Sequence, residues 1–237
     1  MKKFEVSSIE VENALIDAIY WWDRTEGYYH RYFKGINLIH EDPAAFTFFV
    51  QKIFSIFLRE YSIRRNIPSG EKSVTTFLDL LLESEFIESV KDGDPNIIDK
   101  TSDKLIKKRF TDRRTISLLS KIAFLINPSV YSLYDSLAKN SLYKVINLEG
   151  RVTRDELQTY HNFHKQILEL SDKFEKLDIF SKAQNLLREY SETEAVIFFS
   201  KNEEAFKLRL IDKFLWIYSS DKEVNNLGYK NLLRLEI

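Results

Sequence analysis

The stretch RFTDRRTISLLSKIAFLINPSVYSLYDSLAKNSL, residues 109–142, determines the predicted type of fold. Apolar residues recur every three or four positions over 113–126, which is the period of one helical face. Asn127-Pro128 ends this helix, because the residue before proline avoids the α region. Asp135 is suited to the N-cap of a further helix that reaches about Ile146. The stretch therefore predicts two helices joined by a short turn that contains proline.

Helical periodicity extends in both directions from this stretch, and only six glycines and four prolines interrupt the whole chain. The sequence therefore predicts an all-α fold. Asp42-Pro43 combines an N-cap with proline at the first helical position, and it begins a helix that we expect to be central and buried. Thr153 and Glu156 form a capping box. Helices are expected over about 8–33, 42–61, 74–90, 95–110, 153–170 and 202–218.

The chain has 237 residues, which lies at the upper end of what a single hydrophobic core serves. Its 44% hydrophobic and 30% charged residues are typical of a globular protein. We predict a single bilobal domain over residues 1–237, folded as a two-lobed helical bundle. The inner lobe would span about 42–148, and the other lobe would combine 1–41 with 149–237.

Composition also excludes several classes of site. The chain has no cysteine, which rules out disulfides, thiolate zinc sites, iron–sulfur clusters and cysteine nucleophiles. No apolar run approaches the roughly 20 residues of a membrane span, and the first residues do not resemble a signal peptide. We expect a soluble, cytoplasmic protein with no membrane partner.

The net charge is −1, from 35 basic and 36 acidic residues, so the total charge predicts no nucleic-acid partner. The distribution of charge is more informative than its sum. Basic residues cluster at 59–65 and again at 104–114. One face of the molecule is therefore expected to be locally positive.

Two motifs within 109–142 resemble the core of the helix-hairpin-helix DNA glycosylases. Residues 112–115 (DRRT) are similar to the tetrad that opens one helix of that family, and 132–135 (SLYD) are similar to the turn that ends in its aspartate. The resemblance covers about 35 residues. It implies the fold of that family and base excision from double-stranded DNA by a flipped-base mechanism. We expect a monomer that uses no metal and no cofactor.

Asp135 is the predicted catalytic residue. A carboxylate at a helix N-terminus is held by backbone N–H groups and by the positive end of the helix dipole. Cleavage of an N-glycosidic bond develops positive charge on the sugar, and a fixed anion beside C1′ stabilises that charge. The position of Asp135 is therefore suited to the chemistry that the resemblance implies.

Two departures from the family pattern affect the expected mechanism. The glycines with which the family's hairpin approaches a DNA phosphate are missing around 110–112. The place of the lysine that forms a Schiff base in bifunctional members is held by Arg114, which cannot become a nucleophile. A monofunctional enzyme that leaves an abasic site is implied, with Lys121 as a secondary candidate. Contacts to the DNA backbone are expected from Lys107, Lys108, Arg113, Arg114 and Thr115.

An extruded base is usually held between aromatic or apolar surfaces. The candidates for this pocket are Trp21, Trp22, Tyr28, Tyr29 and Tyr134. The sequence does not identify the base. The absence of an iron–sulfur cluster and the divergent hairpin favour a specialised lesion or a modified base, for example a hypermodified base of phage DNA in antiviral defence.

Two other readings remain open. Arg24 and His30 have the Arg-x5-His spacing of the all-helical HEPN ribonucleases, in which such a pair acts on the scissile phosphate. The chain could also be a non-catalytic helical module that binds nucleic acid or protein. His161 and His164 are neighbours on one helix face, but the sequence offers them no third metal ligand.

Overall fold

The computed structural model describes residues 6–68, 70–146 and 153–220, and all regular structure within these ranges is helical. The prediction of an all-α fold is confirmed. In this part of the chain no helix is both long and apolar enough to cross a membrane. The α-helices are α1 (Ser8–Trp21), α2 (Gly27–Lys34), α3 (Ile36–Glu41), α4 (Pro43–Phe48), α5 (Ser55–Glu60), α6 (Glu71–Leu82), α7 (Phe86–Lys91), α8 (Asn96–Lys107), α9 (Ile116–Ile126), α10 (Ser136–Ile146), α11 (Tyr160–Lys176), α12 (Ile179–Arg188), α13 (Glu194–Lys201) and α14 (Glu203–Ser220).

Local capping signals fix several of these helix starts. Ser7 and Glu10 form a complete capping box at α1. Asp42 accepts hydrogen bonds from the N–H groups of Ala44, at 2.8 Å, and Ala45, at 3.2 Å, so α4 begins at Pro43 as predicted. Each cap satisfies N–H groups that the first helical turn leaves without a partner inside the helix.

The helix predictions over 74–90 and 153–170 were wrong in detail. The single helix expected over 74–90 is divided into α6 and α7, and between them the Ser84 hydroxyl donates to the carbonyl of Leu81. The capping box of Thr153 and Glu156 does form, but it opens only a 3-10 turn at Glu156–Gln158. Short side chains that hydrogen-bond to nearby backbone stabilise turns as readily as helix starts. A capping pattern in the sequence therefore does not by itself predict that a helix follows.

The most enclosed helix is α9, in which every residue except Ser117 is buried. It packs against α2, α7 and α8. The expectation that the helix over 42–61 is central was wrong for its first part, because α4 contains no buried residue. The tertiary packing therefore places α9, and not the helix predicted over 42–61, at the centre.

The N-terminal helix packs against the C-terminal helices of the described chain. α1 contacts α12, α13 and α14, and α14 also packs along α10. The predicted lobe boundary near 148 lies outside the described residues, and the division into two lobes remains a prediction. What matters for the site is that α14 lies between α1 and α10.

A π-helical turn at Trp22–Glu26 continues α1 into α2. Such turns insert an extra residue into a helix and are frequent at functional sites. Here the Thr25 hydroxyl donates to the carbonyl of Trp21 at 3.1 Å, and Glu26 becomes fully buried. The turn thus places a carboxylate in the interior of the protein.

Candidate functional site

One pocket of about 580 Å³ gathers side chains from five parts of the chain: the end of α1 with its π-helical turn, the segment after α5, helix α9, residues 133–139 and helix α14. We call it the Asp135 pocket. The described titratable residues that line it are Glu26, Glu60, Tyr61, Arg65, Lys121, Tyr134, Asp135, Lys139, Arg209, Asp212 and Lys213.

A larger cavity of about 750 Å³ lies beside α4 and α6, but its lining is chemically poor. Among the described residues around it, Arg64 alone is charged. The Arg64 guanidinium donates to the carbonyls of Ile67 and Pro68, which engages it in the loop. Size therefore does not identify the reactive site, and the concentration of titratable groups favours the Asp135 pocket.

Asp135 is the N-cap of α10, as its position after the turn predicts. Its Oδ1 accepts a hydrogen bond from the Ala138 N–H at 2.8 Å, and its carbonyl accepts one from the Lys139 N–H at 3.0 Å. The side chain is half-buried and lines the pocket. The helix start therefore holds this carboxylate in a fixed orientation beside open space.

Lys121 lies on α9 and lines the same pocket, with only 6% of the residue exposed. Its Nζ is 3.0 Å from the Ser117 hydroxyl and 3.5 Å from the carbonyl of Tyr134. Burial lowers the pKa of Lys121, against the opposing effect of the Asp135 and Asp212 carboxylates. A buried amine with a lowered pKa can act as a nucleophile, whereas the guanidinium of Arg114 cannot.

Five buried charged residues form a cluster where α14 packs against α1 and the π-helical turn, and four of the five line the pocket. The Arg209 guanidinium bridges the carboxylates of Glu26 and Asp212. Lys213 Nζ lies 2.8 Å from Asp17 Oδ2. Glu26 and Arg209 are 183 positions apart, so only the packing of α14 against α1 joins them. We call Asp17, Glu26, Arg209, Asp212 and Lys213 the buried ion cluster.

Burial changes the proton affinity of this cluster. It raises the pKa of Asp212 to about 6, although the cations of Arg209 and Lys213 act in the opposite direction. Asp135 and Glu26 raise that pKa further through charge repulsion. Burial lowers the pKa of Lys213, and the neighbouring Arg209 adds to this effect. Of the four described carboxyl groups that line the pocket, Asp135 caps a helix and is half-buried, whereas Asp212 belongs to the buried ion cluster.

Two tryptophans flank one cation at the pocket. Lys213 Nζ lies 4.8 Å from the ring centre of Trp21 and 5.8 Å from that of Trp216. Trp21 was a predicted pocket residue, whereas Trp216 was not. Tyr134 also lines the pocket, but its hydroxyl donates to the carbonyl of Leu157 at 3.2 Å. Trp216 is 36% exposed, which leaves its ring accessible to a planar ligand.

The other three predicted aromatics do not line the pocket. Trp22 is buried and stacks on Phe198 at 3.9 Å between ring centres. Tyr29 is also buried, and its hydroxyl donates to Glu60 Oε2 at 2.6 Å. Tyr28 is exposed at the surface. The assignment of Trp22 and Tyr29 to a base pocket was therefore wrong, because the sequence shows their clustering but not the direction of each ring. The assignment of Tyr28, which is accessible, stays a prediction.

Three arginines line a cavity of about 680 Å³ that adjoins the Asp135 pocket. Arg65, Arg109 and Arg113 belong to it, and Arg65 lines the Asp135 pocket as well. All three are exposed. Arg109 has a φ of 57°, a left-handed conformation that directs the chain out of α8. We call these three residues the arginine surface.

Only some of the side chains that were predicted to contact DNA phosphates are accessible. Lys107 and Lys108 are exposed at the end of α8, and Arg113 is exposed beside them. Arg114 is engaged by Asp103, with 2.9 Å between Nη2 and Oδ1, and lies outside both cavities.

Thr115 is fully buried, and its N–H donates to the Ser102 hydroxyl. Its side chain cannot contact a phosphate, so that prediction was wrong. The predicted helix start was also wrong, because α9 begins at Ile116. Residues 112–115 belong to the loop before α9.

The residues of the alternative readings have separate environments. Arg24 donates to the Tyr20 hydroxyl, whereas His30 Nδ1 lies 2.8 Å from the carbonyl of Leu125. Burial lowers the pKa of His30. These contacts engage the two side chains with different partners, and the ribonuclease interpretation stays a prediction.

The two histidines on α11 also differ. His164 is buried and shares a hydrogen bond of 3.0 Å with Ser132, while His161 is exposed. Burial lowers the pKa of His164 to about 4. Within the described residues no three His, Cys, Asp or Glu side chains are grouped to bind a metal ion.

No family model, curated protein or solved structure matches this chain. The resemblance to the helix-hairpin-helix glycosylases therefore depends on residues 112–115 and 132–135 alone.

Proposed function

We propose that this protein is a DNA N-glycosylase that excises a damaged or modified base in the Asp135 pocket. The proposal depends on one observation: Asp135, a carboxylate that caps a helix, and Lys121, a buried amine, line the same pocket. The arginine surface adjoins this pocket through Arg65 and provides cations for the phosphates on either side of a flipped nucleotide.

Each group has a role in breaking the bond between C1′ and the base nitrogen. Positive charge develops on the sugar as the base departs, and the Asp135 carboxylate stabilises it. Trp21 and Trp216 supply flat surfaces on which the extruded base stacks. The reaction needs a nucleophile at C1′, for which the pocket offers the Lys121 amine or a water molecule.

The expectation of a monofunctional enzyme depends on Arg114 occupying the position of the nucleophile. Arg114 lies outside the pocket and Lys121 lines it, which favours Lys121 as the residue nearest to a bound nucleotide. We propose that Lys121 attacks C1′ and forms a Schiff base with the opened sugar. Burial favours the neutral amine by lowering the pKa of Lys121, which this attack requires.

Borohydride reduction tests the role of Lys121. Wild-type protein that is turning over a substrate duplex should become covalently linked to the DNA, and Lys121→Gln should not. Lys139→Gln is the matched control, because Lys139 lines the same pocket and should still be trapped. The measurement is the shifted band on a denaturing gel. Base release without trapping would identify water as the nucleophile and restore the monofunctional assignment.

Base-release analysis tests the proposed function itself. Purified protein is incubated with natural duplex DNA, with duplexes that carry oxidised, alkylated, deaminated or glucosylated bases, and with phage genomes that contain hypermodified bases. We expect release from at least one modified DNA, with an abasic site or a cleaved strand as product. Release from none of them would reject the proposal, and RNA cleavage that depends on Arg24 and His30 would favour the ribonuclease reading instead.

The arginine surface is expected to bind DNA without regard to sequence. Replacing Arg65, Arg109 and Arg113 by alanine should weaken binding to all duplexes similarly and reduce the slope of log K against log salt by roughly two to three units. The measurement is fluorescence anisotropy over a series of salt concentrations. A control variant replaces Lys34, Lys165 and Lys201 by alanine. These lysines are exposed and line neither cavity, so the slope should not change. Equal slopes for both triple variants would reject this surface.

A further inference from the structure

The geometry of the pocket points to a second catalytic group: we propose that Asp212 is the acid that protonates the leaving base. This inference rests on the proposed function, since it concerns the departure of the base from C1′. Asp212 lines the pocket together with Asp135 and Lys121. It lies one helical turn before Trp216, which is one of the surfaces on which the base would stack.

Asp212 is held in one orientation and remains partly accessible from the pocket. The Arg209 guanidinium holds one of its oxygens, and 11% of its side chain remains accessible from the pocket. Arg209 is in turn held by Glu26 and lies over the Phe124 ring, with 5.6 Å between Cζ and the ring centre. A carboxyl group held in this way presents its other oxygen in a constant direction, as general acid catalysis requires.

The charges around Asp212 favour a bound proton. The groups that act on it come from α14, from the π-helical turn, from α9 and from the N-cap of α10. The buried charged side chains of the described pocket residues and the buried ion cluster are balanced while all of them are ionised: Asp17, Glu26 and Asp212 against Lys121, Arg209 and Lys213. The neutral form of Lys121 that the reaction requires leaves this buried set with one surplus negative charge. A surplus negative charge is unfavourable when it is buried, and a proton on one carboxyl group removes it.

The direction of the Asp212 pKa agrees with this charge balance. Burial, with smaller contributions from Asp135 and Glu26, raises the pKa of Asp212 to about 6 against the lowering effect of Arg209 and Lys213. Loss of a proton from Lys121 creates the surplus negative charge that a proton on Asp212 removes. A substantial fraction of Asp212 is therefore protonated at mildly acid pH, and a smaller fraction near pH 7.

The proposed step is balanced in atoms and charge. The C1′–N bond breaks, and its electron pair goes to the base. The Asp212 carboxyl group transfers its proton to a ring nitrogen or exocyclic oxygen of the base and becomes a carboxylate. The base leaves as a neutral molecule. The nucleophile that adds at C1′ releases one proton, and a proton from solvent restores the acid form of Asp212.

The pH dependence of single-turnover base release tests this role, on the modified duplex of the panel described above that the wild type processes fastest. The reaction needs neutral Lys121 together with protonated Asp212, so the rate should rise with pH at first. At pH values above the pKa of both groups it should fall by tenfold per pH unit as Asp212 loses its proton. Asp212→Asn should reduce the rate at least about 100-fold at pH 5.5 and should abolish the falling limb. A falling limb that persists in Asp212→Asn, or a wild-type rate that has no falling limb below the ordinary lysine pKa of 10.5, would overturn the proposal.

A second variant keeps the test decisive if Asp212→Asn does not fold. Glu26→Gln removes a charge that raises the pKa of Asp212, so the falling limb should move to lower pH. Glu60→Gln is the matched control, because Glu60 lines the pocket without contributing to that pKa, and its limb should not move. A limb that stays in place in Glu26→Gln would also overturn the role of Asp212.

The failure of this inference is distinguishable from the failure of the proposed function. Wild-type protein that releases no base from any DNA of the panel rejects the glycosylase itself. Wild-type protein that releases base with an unchanged falling limb in both Asp212→Asn and Glu26→Gln rejects only the acid role of Asp212.

Discussion

Asp135→Asn is expected to lower the rate of base release by at least about two orders of magnitude while the protein stays folded. The change removes the charge that stabilises the sugar in the transition state, and the loss of one such fixed group typically raises the barrier by about 3–4 kcal/mol. Asparagine is also a good N-cap, so it can still accept the hydrogen bond from the Ala138 N–H. The measurement is single-turnover base release together with thermal unfolding.

Asp42→Asn provides a matched control for this experiment. Asp42 caps α4 through the N–H groups of Ala44 and Ala45 and does not line the Asp135 pocket. It should change stability about as little as Asp135→Asn and leave the rate unaltered. DNA binding by Asp135→Asn should persist or tighten, because an anion that faces the DNA backbone has been removed. An Asp135→Asn enzyme with the wild-type rate would reject Asp135 as the catalytic residue.

Arg209→Met is expected to destabilise the fold by about 3–5 kcal/mol, the effect typical of removing one partner from a buried ion pair. The substitution leaves the Glu26 and Asp212 carboxylates buried without the cation that bridges them. Methionine fills much of the arginine volume, so the loss would come mainly from uncompensated charge and less from a cavity. The measurement is the free energy of unfolding in urea at pH 7.

Arg31→Met is the control for this prediction. Arg31 pairs with Glu194 at 2.9 Å, but both side chains are more than half exposed. Loss of such a pair should lower the free energy of unfolding by less than about 1 kcal/mol. Adding Glu26→Gln to Arg209→Met should restore part of the stability, since one unpaired charge is removed. Equal destabilisation by Arg209→Met and Arg31→Met would mean that the buried ion cluster does not stabilise the fold as inferred.

Interactions within about four residues of the chain determined most of the local structure. The caps at Ser7 and Asp42 and the N-cap at Asp135 follow from short side chains that bond to nearby N–H groups. Prediction from local sequence failed where the structure depends on residues farther away along the chain. Whether Thr153 opens a helix or only a turn, and whether α9 starts at Arg113 or at Ile116, depends on contacts beyond the capping segment.

The candidate site was only partly predictable. Asp135, Lys121, Trp21 and Tyr134 were singled out from the sequence, and they line one pocket. No role was predicted for the acidic and basic residues of α14, although Asp212 and Lys213 stand out as charges within a largely apolar helical segment. Charges in such a segment are a signal of buried pairing, because an unpaired charge would not be tolerated there.

By itself, the sequence determined that this chain is all-α, where α1, α4, α8, α10 and α14 begin to within about one residue, and that Asp135 caps one of them. Only the tertiary structure decided that Lys121 lines the pocket, that Asp103 engages Arg114, and which tryptophans face open space. The physical reason is distance along the chain. Helix periodicity and caps involve neighbours, whereas the burial and the pKa of Asp212 depend on how α14 packs between α1 and α10.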